Sequence, residues 1–406
     1  MHSDGLEGHD SRVRQVEAEW LSLAERLARS KPASDIFVVN GALGEDCGIS
    51  QLTDLMQSQG APFYRSSKAT GAKGSEGFIA RDDTVIVKVN SQWGERGGTN
   101  TDLLKALIGG IARHPGGFVG EIVVADNGQG QYGSTGRGGS FDYPRNNAED
   151  ISQSIQKVVS SFGGHRVSTY LWDRITTKRG EEYAEGNNED GYVVDDTRNP
   201  RTGLIVSYPK FKTRFGTLIS FKLGVWNPET QSYDSDRLKV INVPVLKSHM
   251  TYGVTACIKH YMGVVSDKLT GRLGASAHGA VGAGGMGTEL AETRFPVLNI
   301  VDAIWVNANP GRGPGTPYKS ATRTNVIAAS TDPVALDYWA AKNILIPTAC
   351  HLEHSSVSSI DPDNTTPHSF GRWLRLSMEE ITRAGYQATV DEARMNVYVA
   401  NIAPGR

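Results

Sequence analysis

The chain alternates short apolar runs with long polar, glycine-rich stretches. Residues 36–39, 84–89 (TVIVKV), 121–125 (EIVVA), 204–208, 217–221, 238–245 (LKVINVPV), 297–306, 323–329 (RTNVIAA) and 395–399 have the length and apolar content of strands. Helical spacing appears elsewhere. Val13, Val16, Trp20, Leu23 and Leu27 predict an amphipathic N-terminal helix. Leu103, Leu104, Leu107 and Ile108 predict a helix over residues 102–112, capped by Thr99 or Thr101. Further helices are expected over residues 148–160, 254–265 and 377–383, and one opens at Asp332-Pro333, where a proline loses no hydrogen bond.

Strand, helix and strand follow one another from residue 84 to 125, the order of a parallel α/β layer. The expected fold is therefore α/β, with a mostly parallel open sheet, flanking helices and a β-rich insertion. Residues 1–160 form an N-terminal α/β half and residues 161–236 the insertion. Residues 237–406 form a C-terminal α/β half packed with the first around one site. Ligands in open α/β sheets sit beyond the carboxyl ends of strands. That rule points to Lys88 and Asn90 after one strand, and to Asp126 and Asn127 after the next.

Charge narrows the partners. The 42 Lys and Arg balance 44 Asp and Glu, so no broad basic face for nucleic acid is implied. No apolar run is long enough to span a bilayer and the first residues carry no secretory signal, so a soluble, cytoplasmic protein is expected. Cys47, Cys257 and Cys350 form no CxxC pair, and no iron–sulfur cluster is expected.

The densest polar run is residues 245–268, with Lys247, His249, Thr255, Lys259 and His260. Lys247 and His249 are two apart and share one side of an extended segment. Backbone N–H groups at Thr251, Gly253 and Val254 would attract carboxylate or phosphate if a helix began there. Lys259 and His260 point about 100° apart on a helix, so one of them, Lys259, is expected in the pocket. Solvated lysines and capping histidines are the plain alternative for this run. Lys88 in an apolar strand needs a partner or an opening, and Asp126 can serve as that partner or as a ligand for a hard cation. Asn100 and Thr101 join this group at the loop–helix junction. His278, in the glycine-rich stretch ASAHGAVGAGGMG, belongs either to a ligand-wrapping lid or to a solvated loop. Cys350, His351, Glu353 and His354 have a spacing that suits a metal on a helix, but no second ligand pair accompanies them.

At these residues the chain resembles the family called domain of unknown function 362. The strongest likeness is INVPVLKSHMTYGVTACIKHYMGVV, residues 241–265. It has a strand, a Lys-x-His element at Lys247 and His249, a Gly-x-Thr element at Gly253 and Thr255, and a Lys-Asn-x-x-Gly helix at Lys259 and Gly263. The family's Asn is His260 here. VIVKVNSQWGERGGTNTDLLKALI, with Lys88, Asn90 and Thr101, and ASTDPVALDYWAAKNIL, with Asp332 and Asp337, resemble the flanking elements. Asp302 falls where the family has an aspartate before a Gly-Pro turn, here Gly313-Pro314. The resemblance implies that the lysines converge.

The expected function is an enzyme acting on a small anionic metabolite, of lyase or metal-dependent oxidoreductase type. His249 is the expected proton carrier. Lys247 and Lys259 complete the catalytic set, with Lys88, Asn90, Asn100, Thr101, Thr255 and His278 binding substrate. Asp126, Asp302 and Asp337 would orient the base or hold a divalent metal ion. The alternatives are a carrier that binds an anion or nucleotide without turnover, and an assembly protein whose lysines sit in separate networks. A homo-oligomer is compatible with each.

Overall fold

A computed structural model describes residues 34–66, 73–74, 77–129 and 138–402. The helix predicted from Val13 to Leu27 lies outside them. The apolar runs form strands β1 (Ser34–Asn40), β2 (Thr84–Lys88), β3 (Glu121–Asp126) and β4 (Val167–Leu171). The insertion contributes β5 (Gly191–Arg198), β6 (Ile205–Lys212), β7 (Leu218–Ser220), β8 (Gly224–Asn227) and β9 (Ser232–Asp234). Then come β10 (Leu238–Asn242), β11 (Val245–His249), β12 (Gly253–Thr255), β13 (Leu298–Asn307), β14 (Thr322–Ser330) and β15 (Met395–Asn401).

The main sheet is ten-stranded and mixed, in the order β15–β1–β14–β13–β10–β2–β3–β4, with β11 on β13 and β12 on β11. The run from β13 through β10, β2 and β3 to β4 is parallel, whereas β14 is antiparallel to both β1 and β13. The second sheet is five-stranded and antiparallel, in the order β9–β8–β7–β6–β5. The architecture is thus α/β with a separate antiparallel insertion. Residues 161–236 are divided: β4 pairs with β3 in the main sheet, and the second sheet begins at β5.

Both faces of the main sheet are covered, which is why its strands read as unbroken apolar runs. Val85 and Val87 enter one apolar cluster and Ile86 the other. Lys88 has the parity of Ile86 and lies on that second face, under residues 257–263.

Several predicted elements differ: the helix expected over residues 148–160 forms only over Ile155–Ser160, and the one over residues 377–383 starts earlier, at Phe370. The run at residues 238–245 is two strands, split at Val243-Pro244. Pro244 has no N–H for a ladder, and the Val245 N–H turns to the Asn90 side chain (2.8 Å). Both pieces lie parallel to the long strand β13. The helix expected at residues 254–265 is a single turn, α1 (Cys257–His260). Residues 253–255 instead pair with β11, and Asp337 accepts from the N–H groups of Cys257 (2.7 Å) and Ile258 (3.0 Å), starting the helix late. Among the described residues no helix is long and apolar enough to cross a membrane.

Candidate functional site

The carboxyl ends of β2 and β3 place Lys88 beside Asp126, with Nζ 2.8 Å from Oδ1. The Asp126 Oδ2 accepts from the Ser91 N–H (2.8 Å) and hydroxyl (2.9 Å). Burial pulls the Lys88 ammonium below its ordinary range, and Asp126 opposes that pull. Gly263 closes over the pair. A Cβ there would lie 2.2 Å from the Asp126 Oδ1 and 2.6 Å from the Lys88 Nζ, so only glycine fits. Of the two roles open to Asp126, this is the partner role.

Above this floor is a cavity of about 570 Å³. Of the predicted residues, Asn90, Asp126, Lys247, His249, Thr255, Lys259 and His278 line it, as does His260. Lys88 reaches it only through Asp126 and Gly263. The antiparallel pairing of β11 with β12 sets Lys247 opposite Thr255, and period two brings His249 to the same side as Lys247.

The two cavity lysines lack the counter-ion that Lys88 has. The Lys247 Nζ donates to the Gly97 carbonyl (2.5 Å) and is 1% exposed. Burial lowers it to about 7; Asp126 and, more weakly, Asp302 oppose that shift, and the Lys259 charge adds to it. Lys259 makes no hydrogen bond or ion pair among the described residues, and its Nζ lies 5.1 Å from the centre of the Tyr252 ring. Burial lowers it to about 8.

The two imidazoles are fixed in opposite senses. The His249 Nδ1 accepts from the N–H groups of Thr251 (3.1 Å) and Tyr252 (3.2 Å), so a neutral His249 carries its proton on Nε2. Burial and the charges of Lys259 and Lys247 push its pKa down to about 2. The Thr251 N–H is thus already used, and Gly253 and Val254 lie in β12 with the Val254 N–H on the Tyr252 carbonyl (2.9 Å), so no anion-binding helix start forms here. Next to His260, Asn242 donates to the Cys257 carbonyl (3.2 Å), so its Oδ1, 2.7 Å away, must take the Nδ1–H of His260. The Val89 carbonyl also faces the His260 ring, and the buried Thr255 hydroxyl has no partner among the described residues. His260 stays neutral because of burial and the lysine charges around it. His278 is not on a loose loop: its Nδ1 lies 2.8 Å from Asp267, and the Tyr252 hydroxyl donates to its carbonyl.

Besides Lys88, four other predicted residues lie off the cavity. Asn100, rather than Thr99 or Thr101, caps α2 (here Thr101–Ala112), accepting from the N–H groups of Asp102 (2.9 Å) and Leu103 (3.1 Å). The Thr101 hydroxyl donates to the Gln153 carbonyl (2.9 Å). Asp302 accepts from the N–H groups of Asn100 (2.8 Å) and Ile304 (3.2 Å), and burial pushes its pKa up to about 6. Asp337 caps α1, and burial pushes its pKa up to about 7. Asp126, Asp302 and Asp337 therefore do not fit one shared divalent ion, because each already holds its own protein donors. Among the described residues no group of three or more His, Cys, Asp or Glu side chains could hold a metal ion. The run Cys350–His354 gives no helical ligand face: the helix ends at His351, Glu353 has a positive φ of 59°, and the His354 Nε2 lies 2.7 Å from Asn309.

The lining also includes Trp93, Gln129, Met250, Tyr252 and Gly313–Pro314–Gly315. No motif in the sequence marks Gln129. Trp93, Met250, Tyr252 and Pro314 stand inside the quoted resemblance, and Tyr252 also belongs to the polar run at residues 245–268.

No curated protein and no solved structure matches the chain. A family model does, over the segment that carries β10, β11, Lys247, His249, Lys259 and the Asp332-Pro333 helix start. Residues 233–342 match the family described as Domain of unknown function (DUF362).

Proposed function

We propose that the protein is an enzyme that binds an anionic substrate, carboxylate or phosphate, in this cavity and moves a proton on it. The carrying observation is Lys259, a buried ammonium that makes no ion pair among the described residues, with Asp267 acting on it only at longer range, beside a second buried lysine. Such a charge is costly unless a ligand pairs with it.

Lys259 binds the anionic group. Lys247 is the proton carrier in place of His249, because it titrates near 7 while His249 stays neutral. As a neutral amine, Lys247 keeps its N–H on the Gly97 carbonyl and has a lone pair for a C–H proton next to the substrate's acid group. The His249 Nε2–H and the Lys259 ammonium stabilise the negative charge that develops on oxygen. Return of the proton gives exchange; loss of a neighbouring leaving group gives a lyase reaction. No metal enters this step, in keeping with the three occupied aspartates.

The test pairs binding with exchange. Purified protein is titrated with carboxylates and inorganic phosphate, and deuterium uptake next to the carboxylate is followed by NMR. Lys259→Met should weaken binding at least about tenfold. Lys247→Met should keep binding but lose exchange. Exchange should rise through pH about 7 as Lys247 loses its proton, and affinity should fall above pH about 8 as Lys259 loses its own. Binding that ignores Lys259 would refute the reading; Lys259-dependent binding with no exchange on any acid would make the protein a carrier.

A further inference from the structure

We propose that the substrate is an aromatic acid, whose flat ring stacks on Trp93 and reaches into a second compartment beyond it. This rests on the anion-site reading above and extends it to the rest of the ligand.

Size is the first argument. The cavity of about 570 Å³ lies in the range of about 300–1,000 Å³ that buries drug-sized ligands, and the lysines occupy only part of its wall. The remainder includes Trp93, Met250, Tyr252 and Pro314. Met250 is 67% exposed, an apolar side chain at this cavity with nothing over most of it.

Continuity is the second. A neighbouring cavity of about 400 Å³ is lined by Tyr143, Pro144 and Pro317 together with the Glu95–Arg145 ion pair (3.6 Å), and Trp93 and Gly315 belong to both linings. Trp93 is fixed from several sides. A Cβ on Gly97 would meet the Trp93 Cβ at 2.6 Å, and one on Gly98 would meet its carbonyl at 2.8 Å. A Cβ on Gly315 would stand 3.3 Å from the indole ring, so the Gly315 backbone packs close against one part of it. The Trp93 Nε1 donates to the Gln92 side chain (3.1 Å), which orients the ring. An indole held this way, with Tyr143 and two prolines beyond it, favours a flat partner over a flexible chain.

Isothermal titration of the full chain with propionate, 3-phenylpropionate and 3-cyclohexylpropionate tests this. The phenyl acid should bind at least about tenfold more tightly than propionate. Trp93→Ala should bring that ratio to within about threefold of one, and Trp93→Phe should restore most of it. Lys259→Met should weaken both acids. A phenyl gain that survives Trp93→Ala, a cyclohexyl acid that binds as tightly as the phenyl one, or no gain at all would overturn the inference. If propionate and the phenyl acid bind equally, and both through Lys259, the anion site stands and only the ring site fails. Binding indifferent to Lys259 overturns both.

Discussion

Lys88 and Lys259 are both buried lysines near the same strand ends, and they differ in one respect. Lys88 lies 2.8 Å from a carboxylate and beneath a glycine that seals the pair. Among the described residues Lys259 has an aromatic face at 5.1 Å and no ion pair, with the Asp267 charge acting from farther off. A buried charge with its partner built in is part of the scaffold. A buried charge without one is a candidate for binding something from outside. Both are lysines in the sequence, and only the fold separates them.

Breaking the first pair should have the largest effect. Asp126→Ala leaves the Lys88 ammonium buried and alone, and should cost about 3–5 kcal/mol in urea denaturation. Adding Lys88→Met to that variant should recover most of the loss, since no orphaned charge remains. Removing the other lysine should act in the opposite direction. Lys259→Met should stabilise the protein by on the order of 1–3 kcal/mol at pH 7 while abolishing anion binding. The sign follows from the proton count. Lys259 titrates at about 8 in the folded protein and near 10.5 unfolded, so the unfolded chain holds more of this proton between those values. The wild type therefore gains stability relative to Lys259→Met as pH rises from about 7, and the two should converge near pH 10.5. A difference that stays constant across that window would remove the contrast between the two lysines. The smallest effect belongs to Asn100→Ala, which removes a helix cap and should cost about 1 kcal/mol without changing anion affinity.

Much of the frame was legible because it is local. TVIVKV and EIVVA are apolar at every position but one or two, and they became adjacent parallel strands. That adjacency made Asp126 foreseeable as the partner of Lys88. Asp332-Pro333 was legible as a helix start for the same reason, since cap and proline act within one turn. The site depended on contacts the local pattern does not carry. Asp337, 80 residues from Cys257, delays the helix that was expected to begin near Val254. The acceptor state of His249 comes from a turn that the sequence allowed to be a helix start. The His260 ring is oriented by an amide on another strand, Asn242, a contact invisible in the Lys-His dipeptide. Trp93 stands inside a segment quoted for the resemblance, yet a lone aromatic in a polar loop has no period to single it out.

The break at Val243-Pro244 has one more consequence. Strands β10 and β11 follow the same neighbour, Leu298–Asn307, on either side of that two-residue link. Because side chains alternate faces, the link works like a reading frame. Lengthening it by one residue would present Leu246 and Ser248 to the hollow and hide Lys247 and His249, with every strand still in its place. The parity of two residues thus decides whether this sheet has a reactive end at all.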